Sequence, residues 1–311
     1  MASISVDDFY KKDGLIAQVK PGFAQREGQQ KLSELIYNQL ELGPDGGGEH
    51  VLAEGPTGFG KSIALLVPAI VAVLEGKATR VVISTETLAL QDQYVTKDLP
   101  LLLAAVEAAG YSFTFAAAKG RSNYGCLAKT VGSKDFALTP VQAWLKTQKV
   151  GIDTGDLGSV PDLILPDVRA WTDVGADEDC ERRGCRFYGD GPKIGKTDCF
   201  VYAARRDYLN AQIIVTNHTM LLLDRQHTSV DTPEGPVLGP YDLLIVDEAH
   251  TLPEKAAAAW GFELGARTLS SAVRFVQKVL TRMHFECVTD DDVDGFRALE
   301  TRLLDLFTTY T

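Results

Sequence analysis

Gly55-Pro56-Thr57-Gly58-Phe59-Gly60-Lys61-Ser62 is a complete instance of the pattern G-x-x-x-x-G-K-[ST], and its reading decides the fold. The stretch from His50 to Ala53 precedes it and the helical run Ile63 to Leu74 follows. A strand is expected to enter this loop and a helix to leave it. In that setting the glycines let successive backbone N–H groups turn toward phosphate oxygens, and the helix N-terminus adds its positive end. Lys61 then reaches the β and γ phosphates, and the Ser62 hydroxyl ligates magnesium. These eight residues are the candidate nucleotide site, so ATP and Mg2+ are the expected cofactors.

Upstream, Phe23-Ala24-Gln25-Arg26-Glu27-Gly28-Gln29-Gln30 leads into a helical pattern with Leu32, Leu35, Ile36 and Leu40 on one face. Arg26 and Gln29 read either as a solvated first turn or as adenine contacts, because an amide can pair with the N6 and N7 edge of adenine. The glycine-rich turn Gly43 to Gly48 then leads to the loop. Downstream, Arg80 to Ser84 is a β-branched strand, and Thr85 to Gln93 opens a second helix. Alternating strands and helices imply a parallel sheet, whose ligands sit at the strand carboxyl ends. Thr85, Thr87 and Gln91 there suit contacts to a phosphate backbone, although capping by Ser84 or Thr85 explains such residues nearly as well.

A later strand, Tyr241 to Val246, delivers Asp247-Glu248-Ala249-His250 to its carboxyl end. Asp247 can hold the metal through water, and Glu248 can orient the attacking water as base. Between the two halves of this pattern, from about Ala116 to Ala204, the alternation breaks down and four of the five cysteines fall, which reads as an insertion. A strand returns at Ala211 to Thr216. Beyond Pro253 the pattern is helical, with amphipathic segments around Leu269 to Met283 and Val293 to Phe307.

At 311 residues and 45% hydrophobic content the chain has room for two domains, or for one large α/β domain with an insertion. Its longest apolar run, Ile63 to Leu74, falls short of the roughly 20 residues a membrane-spanning helix needs. The first twelve residues lack an apolar signal core, so a cytoplasmic location and no membrane partner are expected. Net charge is −11, opposite to the basic signature of nucleic-acid binders, so any such contact must be a local patch.

Cys126, Cys180, Cys185 and Cys199 leave gaps of 53, 4 and 13 residues, and Cys287 lies apart as a free thiol. No C-x-x-C knuckle occurs, so the spacing leaves zinc and an iron-sulfur cluster both open. Arg121, Lys129, Arg182, Arg183, Arg186, Arg205 and Arg206 interleave here with Tyr124, Phe187, Tyr188, Phe200 and Tyr202. Cations that track phosphates and aromatics that stack bases are how single-strand grooves are built. The plainer alternative is that the aromatics pack around the thiols.

Taken together, these residues resemble the DinG/XPD-like iron-sulfur DNA helicases of superfamily two. Arg26-Glu27-Gly28-Gln29 is similar to the family's Q motif, Gly55 to Ser62 to Walker A, and Ser84 to Gln93 to motif Ia. Lys119 to Cys126 and Cys199 to Arg206 resemble the edges of its cluster segment. Val215 to Leu222 follows, and Asp247-Glu248-Ala249-His250 resembles the DEAH box. The resemblance covers residues from about 20 to 265. It implies a RecA-like P-loop NTPase parallel sheet in two parts, 1–115 and 205–262, around an iron-sulfur insertion at 116–204, with the start of a helical arch at 263–311. It also implies a [4Fe-4S] cluster on Cys126, Cys180, Cys185 and Cys199, catalytic roles for Lys61, Asp247, Glu248 and His250, and single-stranded DNA as partner. The family's second RecA-like domain, with the arginines that complete the ATP site, has no counterpart in these residues. Since such a charge is worth around 10³ or more in rate, the 311 residues alone are expected to hydrolyse ATP weakly or not at all and to need that domain as a partner. A nucleotide- and DNA-binding module that does not turn over is the rival reading. The intact Glu248 beside Asp247 favours the working motor.

Overall fold

The computed structural model describes residues 4–41, 50–56, 58–131, 139–161, 164, 169–172, 174–177, 180, 185, 187, 199–229, 236–261, 295, 298 and 301–302. The sheet is built from β1 (Val81–Thr85), β2 (Phe115–Ala118), β3 (Ile213–Asn217) and β4 (Leu243–Val246), in the order β2-β3-β1-β4 with every pairing parallel. Val81 lies opposite Ile213 on one side and Leu243 on the other, which aligns the carboxyl ends of β1, β3 and β4. Every residue of β1 is buried, as expected of a central strand covered on both faces.

Helices α1 (Val6–Tyr10), α2 (Leu15–Val19), α3 (Glu27–Glu41) and α4 (Lys61–Leu74) precede the sheet. The run α5 (Leu88–Gln93), a π-helical turn Tyr94–Asp98 and α6 (Leu99–Glu107) connect β1 to β2. The main core joins α1, α2, α4 and α6 to one face of β1 and β3 through Phe9, Ile16, Leu66, Ile70, Ile83, Leu102 and Val215. Pro68 sits inside α4, so the Ala64 carbonyl lacks its helical donor. The buried Ser33 hydroxyl supplies one at 2.9 Å, and Tyr10 hydrogen-bonds Ser33 at 2.7 Å. This chain of hydroxyls fixes α3 and α1 against the helix that leaves the phosphate loop.

The region after β2 holds α7 (Leu127–Val131), α8 (Pro140–Thr147) and α9 (Arg169–Thr172), and α10 (Phe200–Asn210) leads back to β3. Tyr124, Val141, Leu145, Val160, Trp171, Val174 and Phe200 form a second core of their own there. α11 (His218–Ser229) follows β3, and α12 (Leu252–Trp260) follows β4. The chain divides into two compact units, 1–255 and 256–311. In the second, residues 256–260, 295, 298 and 301–302 are helical.

Three sequence expectations change. No strand forms at 50–53, and Leu52 is 96% exposed. A strand exists only as part of a ladder, and this stretch pairs with none of the four strands. β4 therefore has one described neighbour, β1, and its outer edge carries the half-exposed Leu244. In α3 the buried stripe is Gln29, Ser33 and Ile36, while Leu35 faces outward. Phe115–Ala118 is a strand of the sheet, so the expected boundary at 116 falls inside it and the irregular region begins after Ala118. Gly43 to Gly48, Cys287 and most of the expected segments 269–283 and 293–307 lie outside the described residues.

Candidate nucleotide site and cysteine pocket

Gly58 and Gly60 adopt left-handed backbone angles, φ 76° and 89°, which glycine alone takes without strain. Gly60 is doubly constrained, because a Cβ there would lie 2.4 Å from Gln29 Nε2. That amide donates to the Gly60 carbonyl at 2.8 Å, and Arg26 donates to the Gly58 carbonyl at 2.7 Å. Arg26 and Gln29 thus brace the loop from behind. The adenine contact expected of them is not what their donors make here, although the buried Gln29 Oε1 has no hydrogen-bond partner. The Phe59 ring packs on Gly28, where a Cβ would come within 2.7 Å of it. Gly55 is half-buried beside Phe59 and Lys61, and Pro56 is exposed. Thr57 lies outside the described residues.

Ser62 stands in the first turn of α4. Asp247 stands just past β4, its backbone N–H on the Ser84 carbonyl at 2.9 Å, and it is 8% exposed. Its Oδ1 accepts the Glu248 N–H at 3.0 Å, and its Oδ2 accepts the Tyr94 hydroxyl at 2.9 Å. Tyr94 also interacts through its hydroxyl with the Ser62 side chain, and burial, with the Asp247 charge beside it, pushes its ionisation far up. Glu248 has φ 53°, a strained angle for a side chain of this kind and one that often marks a functional turn. This turn brings its carboxylate to Lys61 Nζ at 3.1 Å, joining residues 187 positions apart. His250 is exposed and reaches Glu248 Oε2 at 3.5 Å, so it meets the loop only through that carboxylate.

Thr85 and Gln91 are fully buried, which rules out the phosphate-backbone contacts considered for them. Gln91 instead donates to the Ala118 and Val215 carbonyls, tying α5 to β2 and β3. Thr87, not Ser84 or Thr85, caps α5. Ser84 hydrogen-bonds His218 Nδ1 at 2.7 Å.

Cys126, Cys180, Cys185 and Cys199 line one apolar pocket together with Leu127, Phe187 and Val201. The Cys126 N–H is fixed on the Val174 carbonyl, directly before α7, and Cys199 is the residue from which α10 starts. Burial pushes the Cys199 thiol up, the backbone N–H groups of Tyr202 and Val201 oppose this, and Cys180 and Cys126 add to the rise. Among the described residues no three His, Cys, Asp or Glu side chains converge as a ready single-ion site.

The structure places the described members of the expected DNA-contacting set in different settings. Tyr124 and Phe200 are buried in the second core, and Phe187 lines the thiol pocket. Lys129 pairs with Asp177 at 2.6 Å and Arg206 with Asp207 at 3.0 Å, while Arg121, Tyr202 and Arg205 are half-buried. Arg182, Arg183, Arg186 and Tyr188 lie outside the described residues. Sequence reasoning also missed two junctions. One is Tyr94, which sits in a helical run without any motif signal. The other is the buried Lys119, which bonds Asp92 of α5 at 2.6 Å and Asp156 of the irregular region at 2.7 Å.

The parallel sheet, with the candidate loop and acids gathered at its carboxyl edge, is consistent with a RecA-like helicase domain. No protein-family model matches the chain. It is 32% identical over 270 residues to the ATP-dependent DNA helicase YoaA of Escherichia coli, covering 85% of this chain and 38% of that protein. It is 33% identical over 284 residues to the ATP-dependent helicase DinG of Mycobacterium tuberculosis, covering 85% and 40%. With DinG of Salmonella typhimurium it shares 30% identity over 262 residues, covering 78% and 34%. The chain belongs with the DinG-like helicases and spans between about a third and two fifths of the length of these relatives.

Proposed function

We propose that this chain is the first motor half of an ATP-dependent DNA helicase, binding ATP-Mg and single-stranded DNA and drawing on a second RecA-like domain for full turnover. The observation that carries this reading is the Lys61–Glu248 contact, which unites the phosphate loop with the candidate base at one edge of the sheet. The lysine's charge is paired with that carboxylate at 3.1 Å. Lys61 would hold the β and γ phosphates of a bound nucleotide, and Glu248 would orient the attacking water as base. Ser62 and Asp247, joined through Tyr94, fit a magnesium site and would hold the ion. Magnesium, when bound, would neutralise charge on the β and γ phosphates.

The four thiols on one pocket fit a [4Fe-4S] cluster with Cys126, Cys180, Cys185 and Cys199 as ligands. The absence of paired C-x-x-C knuckles favours the larger cage over zinc. In this reading the cluster cross-links the segment between β2 and α10, and the start of an arch follows α12. The test is ATP hydrolysis by the chain with and without single-stranded DNA, repeated with a second RecA-like domain added as a separate partner. Stimulation by single strands in the presence of the second domain, and its loss in Glu248→Gln, is expected. A basal rate indifferent to DNA and to Glu248 would remove the motor assignment.

A further inference from the structure

The geometry points to Tyr94 as a positioning residue for the magnesium ligands of the nucleotide site, an assignment that rests on the reading of Ser62 and Asp247 given above. Ser62 comes from the start of α4 and Asp247 from the end of β4, two elements far apart in sequence. A single phenol from a third element meets both: Tyr94 donates to Asp247 Oδ2 at 2.9 Å and interacts with the Ser62 hydroxyl. Asp247 is held at both oxygens, by Tyr94 on Oδ2 and by the Glu248 N–H on Oδ1, which fixes the rotation of the carboxylate.

The Tyr94 ring is 1% exposed and belongs to the main core, so its hydroxyl has little freedom. The backbone also places it: Leu99 N–H bonds the Tyr94 carbonyl in the wide π register, and Pro100 directly after it has no N–H to restore the α register. Such single π-helical turns inside helices are frequent at functional sites. Groups that orient metal ligands from behind typically change metal affinity by about 10- to 100-fold when removed.

The test measures binding of N-methylanthraniloyl-ADP to the 311-residue chain by anisotropy, in EDTA and across a magnesium titration. It compares the wild type with Tyr94→Phe, Asp247→Asn and the double variant. Tyr94→Phe should keep the wild-type affinity in EDTA while the gain in affinity from magnesium falls about tenfold. In the Asp247→Asn background the same change should have no further effect. A magnesium gain in Tyr94→Phe equal to or larger than that of wild type, alongside a loss in Asp247→Asn, overturns the Tyr94 assignment and leaves the nucleotide reading standing. An equal loss in EDTA and in magnesium makes Tyr94 a packing residue and overturns it too. A wild-type chain that binds no nucleotide in either condition overturns the nucleotide reading and this assignment with it.

Discussion

Lys61 and Glu248 face each other across 3.1 Å, yet the two should respond oppositely to mutation. Lys61→Ala removes the point charge meant for the phosphates and should abolish measurable ATP affinity in calorimetry. Glu248→Gln keeps the backbone turn and removes the base. It should retain ATP while hydrolysis falls by at least about a hundredfold, which single-turnover kinetics would show. Both residues were legible from the sequence, because their chemistry is written in short motifs. Arg26 and Gln29 were legible as important but not in their role, since the carbonyls they bind belong to a loop some thirty positions away, Gln29 to Gly60 across 31. Tyr94 was not legible at all. Nothing local distinguishes a core tyrosine from one whose hydroxyl meets two acid-edge residues.

The hydroxyl relay Tyr10–Ser33–Ala64 shows how one element depends on another. Pro68 would be expected to weaken α4, but Ser33 from α3 satisfies the carbonyl that proline leaves open. Ser33→Ala should therefore leave a buried acceptor unpaired and cost about 1–3 kcal/mol in urea unfolding, an effect that the further change Pro68→Ala should partly relieve. The strand ends have a device of their own. The Asp242 carboxylate accepts the N–H groups of Thr79 and Arg80 at 2.7 and 3.0 Å, aligning β4 with β1, and the bond from the Thr79 side chain heads the causes that hold its pKa below the usual carboxylate range. A lowered folded pKa gives stability that is present above about pH 3.9 and is lost as pH falls through the folded value. Asp242→Asn, which keeps an acceptor but no charge, should flatten that acid limb in unfolding curves taken between pH 3 and 5. The sheet itself was readable from β-branched runs. The missing strand at 50–53 was not, because pairing depends on a neighbour and not on the stretch alone.

For the molecule as a whole, the Lys119 junction ties the irregular region to α5, and the thiol pocket lies within that region and the start of α10. Cys→Ser at 126, 180, 185 or 199 should remove visible absorbance from anaerobically purified protein and render the region protease-sensitive, with Cys287→Ser as the unaffected control. Iron at wild-type stoichiometry in Cys199→Ser would take that residue out of the proposed ligand set. The cysteines could be grouped from the sequence only as neighbours in an irregular stretch; that all four reach one pocket is a property of the fold around Val174 and the start of α10. The outer edge of β4, which pairs with no strand among the described residues and carries Leu244 at 38% exposed, bears on how the chain behaves as a colloid. A net charge of −11 holds copies apart at low ionic strength. Salt at about 0.15 M shortens that repulsion to a range of roughly 8 Å, within which an unpaired strand edge can find another. The second virial coefficient from static light scattering should therefore fall as salt rises, and Leu244→Lys should keep it positive.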